Sequence, residues 1–468
     1  MADRVVVLVL AAGIGSRFGG GKLLAMVGGK PLLQHVLDRV AEAGIGEVVV
    51  VLGADADAIE RAITWRAERR VRNPDPVRGL ASSLHVGMAA LDPGVDAALI
   101  LLGDQPLVST ETIRALLDAP IDPARSVVVP VYADGSGRNP VLLRRGAFEL
   151  AREAVGDRGL GPVLGARSEL VLEIAVEGDN PDVDTPEDLA KVLEADWAAR
   201  VRANREQVER IREVPDGADF YAPVQSLFRA DPTRTDDPVL LALLDLVRPG
   251  ETWLDVGAGA GRFALPIARA LDPSGGSVIA FDTSPSMLEG LRDIAEDYAI
   301  ENVRTVEGRW PPTDPARYES DVVLIAHVGY DIELIGPFVD AMERAARRLC
   351  VAVLMERQPS SIADAFWPPV HGETRVPLPA LTDFKALLKA RGRTPTVTMQ
   401  ERAPRRFESR DELIGFLRRQ LWIADGGEKE RRFRKASETL VVEEDGRFGL
   451  VDQQPLPVGI VTWSPDRR

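Results

Sequence analysis

The chain has 468 residues, 45% of them apolar and 28% charged, and a formal net charge of −15. That length suits two domains with a core each, and the acidic balance argues against broad nucleic-acid or anionic-membrane binding. A single cysteine, Cys350, excludes an internal disulfide and a cysteine zinc cluster, and it sits in an apolar run where a buried thiol is the default. No apolar run reaches membrane-spanning length, and Met1–Arg4 followed by a short strand is unlike a signal peptide, so a cytoplasmic setting is the expectation.

In chain order, Val5–Leu10 reads as a buried strand and Pro31–Ala43 as an amphipathic helix. Glu47–Leu52 is a second strand, Asp57–Arg69 a charged helix, and Ala97–Leu102 and Val127–Val131 further strands. Asp196–Glu213 is rich in arginine and glutamate, with Trp197, Val201, Val208 and Ile211 at helical spacing. A fresh alternation follows: strands Thr252–Val256, Ser277–Phe281, Asn302–Glu307, Asp321–Ala326 and Leu349–Met355, with helices Ala264–Leu271 and Pro337–Arg347 among them. Thr394–Gln400 and Val458–Trp463 can close the sheet as an antiparallel pair, with helices Arg410–Trp422 and Glu430–Leu440 inserted between them. The pattern predicts an α/β fold of two doubly wound, Rossmann-like domains, residues 1–195 and 215–468, joined by a linker helix over 196–214. In such sheets ligands bind at the carboxyl ends of the strands.

Leu10–Lys22 reads LAAGIGSRFGGGK. Gly13, Gly15 and Gly19 give a spacing one residue too long for a dinucleotide fingerprint, and Leu23 after Lys22 departs from a P-loop. A glycine-rich turn after a strand can wrap a polyphosphate, with Arg17 and Lys22 neutralising it; the bland alternative is a flexible loop with two solvated cations. Asp104, in LLGDQPLV, follows a strand directly, where an aspartate is either a Mg²⁺ ligand or a turn residue before Pro106. A second acidic run spans Asp182-Val183-Asp184-Thr185-Pro186-Glu187-Asp188, with Thr185 or Asp184 able to cap a helix that starts at Pro186. Gly79-Leu80-Ala81-Ser82-Ser83-Leu84, Gly137-Arg138-Asn139-Pro140-Val141 and Gly156-Asp157-Arg158-Gly159 complete the set.

Together these motifs resemble the MobA-like NTP-transferase family, on the molybdenum-cofactor cytidylyltransferase side. The resemblance implies that Leu10, Ala11, Ala12, Gly13, Gly15, Gly79, Ser82 and Ser83 bind the nucleotide. It implies catalytic roles for Arg17, Lys22 and Asp104, and a Mg²⁺ site of Asp104, Asp182 and Asp184. The implied substrates are CTP and a phosphorylated acceptor, molybdopterin, with a molybdoenzyme as the partner that receives the product. Asn139 stands where relatives carry histidine, which bears on the acceptor. Sugar-phosphate or polyol-phosphate nucleotidylyltransferases are the rival reading.

In the second half, Asp255-Val256-Gly257-Ala258-Gly259-Ala260-Gly261 follows a strand, and Asp282-Thr283-Ser284-Pro285-Ser286-Met287-Leu288 follows the next. The acidic strand end, the GxGxG spacing and the D-x-S-x-x-M-L run resemble class I S-adenosylmethionine-dependent methyltransferases. A plain nucleotide-binding Rossmann domain is the alternative. The resemblance implies donor contacts from Asp255, Gly257, Gly259, Gly261, Asp282 and Met287, and from Gly308, Arg309 and His327. Relatives often carry aspartate where Arg309 stands. His327, at the mouth of the donor site, could deprotonate an acceptor or be a hydrogen-bonded structural histidine. A different class of reading has one domain acting only as a cofactor-binding or chaperone module.

Overall fold

Valine-rich runs make the central strands of both sheets, because β-branched side chains fit a pleated surface covered on both faces. The computed structural model describes residues 4–13, 15–133, 135, 137–215, 229 and 231–466. Met1–Asp3, Ile14 of the glycine stretch, and residues 216–228 and 230 at the start of the expected second domain lie outside the described residues. The chain divides into two units, Met1–Val192 and Leu193–Arg468.

The first unit holds β1 (Val5–Ala11), β2 (Val48–Leu52), β3 (Arg69–Arg72), β4 (Ala97–Leu102), β5 (Val127–Tyr132), β6 (Val141–Arg144) and β7 (Val171–Val176). They form one sheet in the order β3-β2-β1-β4-β6-β5-β7. β1 pairs in parallel with β2 and β4, so the strand order reverses between β1 and β4. A crevice between their carboxyl ends follows from that reversal, and both glycine loop and Asp104 leave from it. Val7 and Val9 face one core cluster, Val6 and Leu8 the other. β6 runs antiparallel to its neighbours, so the sheet is mixed rather than all parallel.

Two local expectations change. The charged helix expected over 57–69 is Ala56–Ala62, and its last expected residue, Arg69, instead opens β3 at the sheet edge. Ile63 turns extended, and the Thr64 N–H is held by the Gln34 side chain at 2.8 Å, which ends the helix. The helix expected over 196–214 belongs to one helix, Pro186–Ile211, and the boundary between the units falls inside it. The helix begins where Thr185 and Asp188 cap each other, Thr185 Oγ1 donating to Asp188 Oδ2 at 2.8 Å and accepting from the Asp188 N–H at 3.1 Å.

The second unit holds β8 (Thr252–Val256), β9 (Ser277–Asp282), β10 (Val303–Glu307), β11 (Ser320–Ala326), β12 (Ala346–Met355), β13 (Thr396–Gln400) and β14 (Val458–Trp463). Their order is β10-β9-β8-β11-β12-β14-β13, with β14 antiparallel to both neighbours. Here the reversal lies between β8 and β11. Cys350, on β12, is fully buried, and burial holds its thiol well above the usual range. Within this unit Trp197 and Val201 are buried, and the Trp197 indole donates to the Ile332 carbonyl at 2.9 Å. The inserted helices, Arg410–Gln420 and Glu428–Leu440, build a separate apolar cluster around Phe366, Trp367, Phe407 and Phe433. No helix among the described residues is long and apolar enough to cross a membrane.

Candidate active sites

In the first unit, β1 delivers Leu10, Ala11 and Ala12, all buried, to the crevice, and the Gly103 N–H donates to the Leu10 carbonyl at 2.9 Å. That bond sets Asp104 beside the start of the glycine loop. Lys22, only 7% exposed, donates to Asp104 Oδ2 at 2.6 Å and to Asp184 Oδ1 at 3.1 Å. Arg17, largely exposed, reaches the other oxygen of Asp184 at 3.3 Å. Burial alone would lower the Lys22 pKa, but Asp104 and then Asp184 outweigh it and hold the ammonium above its ordinary value. The acidic run is tied to the same place, since the Val183 N–H donates to the Asp104 carbonyl at 3.1 Å. Buried Gln105 adds a bond to the Asn180 carbonyl at 3.1 Å.

Asp182 completes the cluster. Its carboxyl is pushed up to about 6, first by burial, then by Asp104 and Asp184, with Lys22 and Gln105 opposing. Asp104 keeps one buried oxygen, Oδ1, without a hydrogen-bond partner among the described residues. That orphaned oxygen and the hard oxygen donors around it suit Mg²⁺. No three His, Cys, Asp or Glu side chains among the described residues converge as a ready metal centre, because Lys22 stands between Asp104 and Asp184.

The second half of the glycine turn closes on itself. The N–H groups of Phe18, Gly19 and Gly20 all point at the Gly15 carbonyl, at 3.0, 3.1 and 3.2 Å. Those three amides are therefore not free to face a phosphate, and Arg17 and Lys22 supply the positive charge of the side chains there. Ser82 and Ser83 are likewise engaged internally. Both hydroxyls accept from the Asn73 amide, at 2.8 and 3.0 Å, and the Ser82 hydroxyl lies 3.0 Å from the Gly79 carbonyl. Asn73 and Gln105 were not singled out in the sequence, and only the topology joins Asn73, just after β3, to the serine loop. Gly79 packs directly on the Gly156–Gly159 loop: a β-carbon there would stand 2.3 Å from Asp157 Oδ1 and 2.7 Å from the Gly156 carbonyl carbon. Reciprocally, a β-carbon at Gly159 (φ +50°) would meet Leu80 Cδ2 at 2.8 Å. The Asn139 carbonyl accepts from the Tyr132 hydroxyl at 3.0 Å.

In the second unit the glycine turn leaves β8, and Asp282 ends β9 beside it. Asp282 accepts from the Gly259 N–H and the Ser284 N–H, each at 2.8 Å. Gly259 (φ +53°) has open space where a β-carbon would project, while one at Gly257 would stand 2.3 Å from Val328 Cγ2. Asp255 is 3% exposed, its Oδ1 has no hydrogen-bond partner among the described residues, and burial followed by Asp282 pushes it up to about 7. A buried, unpartnered carboxyl oxygen beside an open glycine turn fits a ligand with hydroxyl or cationic groups, as S-adenosylmethionine has. Gly308 is tied in by its N–H to the Asp282 carbonyl at 2.9 Å, and a β-carbon there would meet Phe281. Arg309 is exposed. Met287 is 2% exposed, packed inside the helix Pro285–Asp297 that Ser284 caps. His327 follows β11 with φ +58°, and its Nδ1 has no hydrogen-bond partner among the described residues.

Comparison with known proteins agrees with this division. Residues 7–170 match the MobA-like NTP transferase domain, and residues 254–349 match a methyltransferase domain. A curated relative, "Bifunctional protein GlmU" of Bordetella petrii, is 38% identical over 117 residues, 24% of this chain and 26% of that protein. The chain thus spans about a quarter of that relative's length. Among solved structures, Rv0371c of Mycobacterium tuberculosis H37Rv is 32% identical, covering 42% of this chain and all of that one at a TM-score of 0.38. The YcgJ protein of Bacillus subtilis is 16% identical, covering 48% of this chain and 98% of that one at a TM-score of 0.33. The chain therefore joins a member of the MobA-like NTP transferase domain family, at its N-terminal side, to a methyltransferase domain.

Proposed function

We propose that the chain is a bifunctional, cytoplasmic transferase. Its first domain, residues 1–195, moves CMP from CTP to a phosphorylated acceptor of the molybdopterin type and releases pyrophosphate. Its second, residues 215–468, transfers a methyl group from S-adenosylmethionine to a separate acceptor. A molybdoenzyme that receives the nucleotidylated cofactor is the expected partner. The observation that carries this reading is the buried ammonium of Lys22 between Asp104 and Asp184 in the β1/β4 crevice.

In the reaction, an acceptor phosphate oxygen attacks the α-phosphorus in line, and the bond to the bridging oxygen breaks with its electron pair leaving on pyrophosphate. The acceptor phosphate is already ionised, so no aspartate has to take a proton. Lys22 and Arg17 face the charge that builds on the leaving group. Asp104, Asp182 and Asp184 would hold Mg²⁺, which when bound neutralises the α- and β-phosphates. In the second domain Asp282 and the Gly257–Gly261 turn hold the donor, and Asp255 faces its polar end.

Two expectations follow for the first domain. Metal binding needs Asp182 ionised, and its raised pKa leaves it protonated below about 6. Mn²⁺ or Mg²⁺ affinity should therefore climb as pH rises through that value and level off above it. Calorimetric titration across roughly pH 5 to 8 measures this, and Asp182→Asn should remove the climb. A flat wild-type profile would take Asp182 out of the metal site. Second, the Ala11-Ala12-Gly13 start and the Ser82-Ser83 loop resemble CTP-using relatives, whereas GTP users more often begin L-A-G-G. CTP should outcompete GTP and ATP in pyrophosphate release with Mg²⁺ present; a clear GTP preference overturns the cytidylyl assignment. Asn139, in the place of the family histidine, favours testing sugar- and polyol-phosphate acceptors in the same assay.

A further inference from the structure

The second unit contains a cavity of about 540 Å³ that the glycine turn and Asp282 do not account for. It is lined by Val201 and Val208 from the helix ending at Ile211, by His327 after β11, and by residues 402–405 beyond β13. His327 places it at the β8/β11 reversal, where the neighbouring Val328 fills the space a side chain at Gly257 would need. The cavity therefore adjoins the glycine turn on its β11 side.

Its charge is one-sided. Arg402 and Arg405 line it, and neither forms an ion pair within 4 Å among the described residues. Arg405 stacks on Phe416 and Phe407, at 4.7 and 4.9 Å from the ring centroids, which fixes the guanidinium without neutralising it. Of the acids that line the cavity, Glu209 is taken by Arg212 at 2.7 Å, and Asp331 is the other. Burial and then Arg262 push Arg402 down, and burial does the same to Arg405, with Glu412 and Arg262 acting on it in opposite senses. Arg262 itself sits just after the glycine turn, donating to Asp237 at 2.7 Å. His327, pushed down to about 4 first by burial and then by Arg402 and Arg262, stays neutral at pH 7 and adds no charge of its own. Arg402, Arg405 and Arg262 thus repel one another where the turn meets the cavity, the Asp237 carboxylate on Arg262 opposes this for Arg402 by less than Arg262 contributes, and a bound anion offsets the remainder.

We propose that this cavity takes the methyl acceptor, an anionic small molecule with an apolar body, whose carboxylate or phosphate docks on Arg402 and Arg405. This deepens the methyltransferase reading above and rests on it. In the transfer, a lone pair of the acceptor forms a bond to the methyl carbon and the carbon–sulfur bond breaks. Its electron pair stays on sulfur, leaving the neutral thioether, and any proton on the attacking atom passes to water.

The test is calorimetric titration of the full chain with benzoate, phenyl phosphate and benzyl alcohol, and separately with S-adenosylmethionine. At least one anion should bind about tenfold or more tightly than the alcohol, the scale of a charge-assisted contact, and the arm that does so says which anion is preferred. Arg402→Ala and Arg405→Ala should each erase the preference, Arg402→Lys should retain part of it, and S-adenosylmethionine affinity should persist in all of them. Equal binding of anion and alcohol, or a preference that survives the Arg402→Ala, Arg405→Ala double variant, overturns the anion site. An arginine-dependent anion site in a chain that does not bind S-adenosylmethionine overturns the acceptor role and the methyltransferase reading together.

Discussion

Asp104→Asn should reduce nucleotidyl transfer by at least about 10²–10³-fold, the scale seen when one preorganised electrostatic group is removed. The substitution keeps shape and leaves an amide oxygen able to accept from Lys22. It removes the charge, and it removes the second carboxylate oxygen, now buried and unpartnered. Lys22 still has Asp184 at 3.1 Å, so the cluster is not left with an orphaned buried cation. The fold should survive, as judged by an unchanged circular dichroism spectrum and melting temperature. Pyrophosphate release from CTP and Mg²⁺ reads the loss, and wild-type turnover in this variant would remove Asp104 from the metal role.

Asp282→Ala should weaken S-adenosylmethionine binding by about 1–3 kcal/mol, the range for losing hydrogen bonds to a charged group. The carboxylate has two tasks. It can accept from a ribose diol at the strand ends, and it holds the turn through the Gly259 and Ser284 N–H groups. Alanine does neither. Gly259→Ala separates these tasks, because it leaves Asp282 in place and puts a methyl group into space that no other described residue fills within 4 Å. Its φ of +53° adds roughly 1–2 kcal/mol of backbone strain for any residue with a β-carbon. Calorimetry on both variants gives the answer. If neither shifts donor binding, or if wild type takes a nicotinamide dinucleotide instead, the second domain is not a methyltransferase.

Apolar runs marked the central strands because a strand buried on both faces has no polar side to disguise it. The edges were harder to see. β3 reads Arg69-Arg70-Val71-Arg72, a charged edge that protects the sheet from further pairing and mimics a solvated helix. β6 is short and antiparallel, which no local pattern announced. At the sites, the glycine-rich run pointed to Lys22, a strand end to Asp104 and the acidic run to Asp184, residues distant in the chain whose side chains the sheet order brings within hydrogen-bonding reach. Side-chain direction was not legible. Nothing in the order of residues said that Ser82 and Ser83 turn inward to Asn73, or that Met287 is packed inside its helix face. The cavity in the second unit was least visible of all, because its walls come from segments far apart in the chain: before the first strand of that sheet, after the fourth, after the fifth and after the sixth.

The contact between Gly79 and the Gly156–Gly159 loop bears on how that part of the first domain moves. Each loop occupies room that a missing side chain on the other leaves free: Asp157 over Gly79, and Leu80 over Gly159. Neither can swing away without exposing the other's backbone to water. They should therefore open as one cooperative unit, with the amides of both segments exchanging their hydrogens at a common rate. A side chain introduced at position 79 would show itself first as faster exchange around residues 156–159, on the far member of the pair.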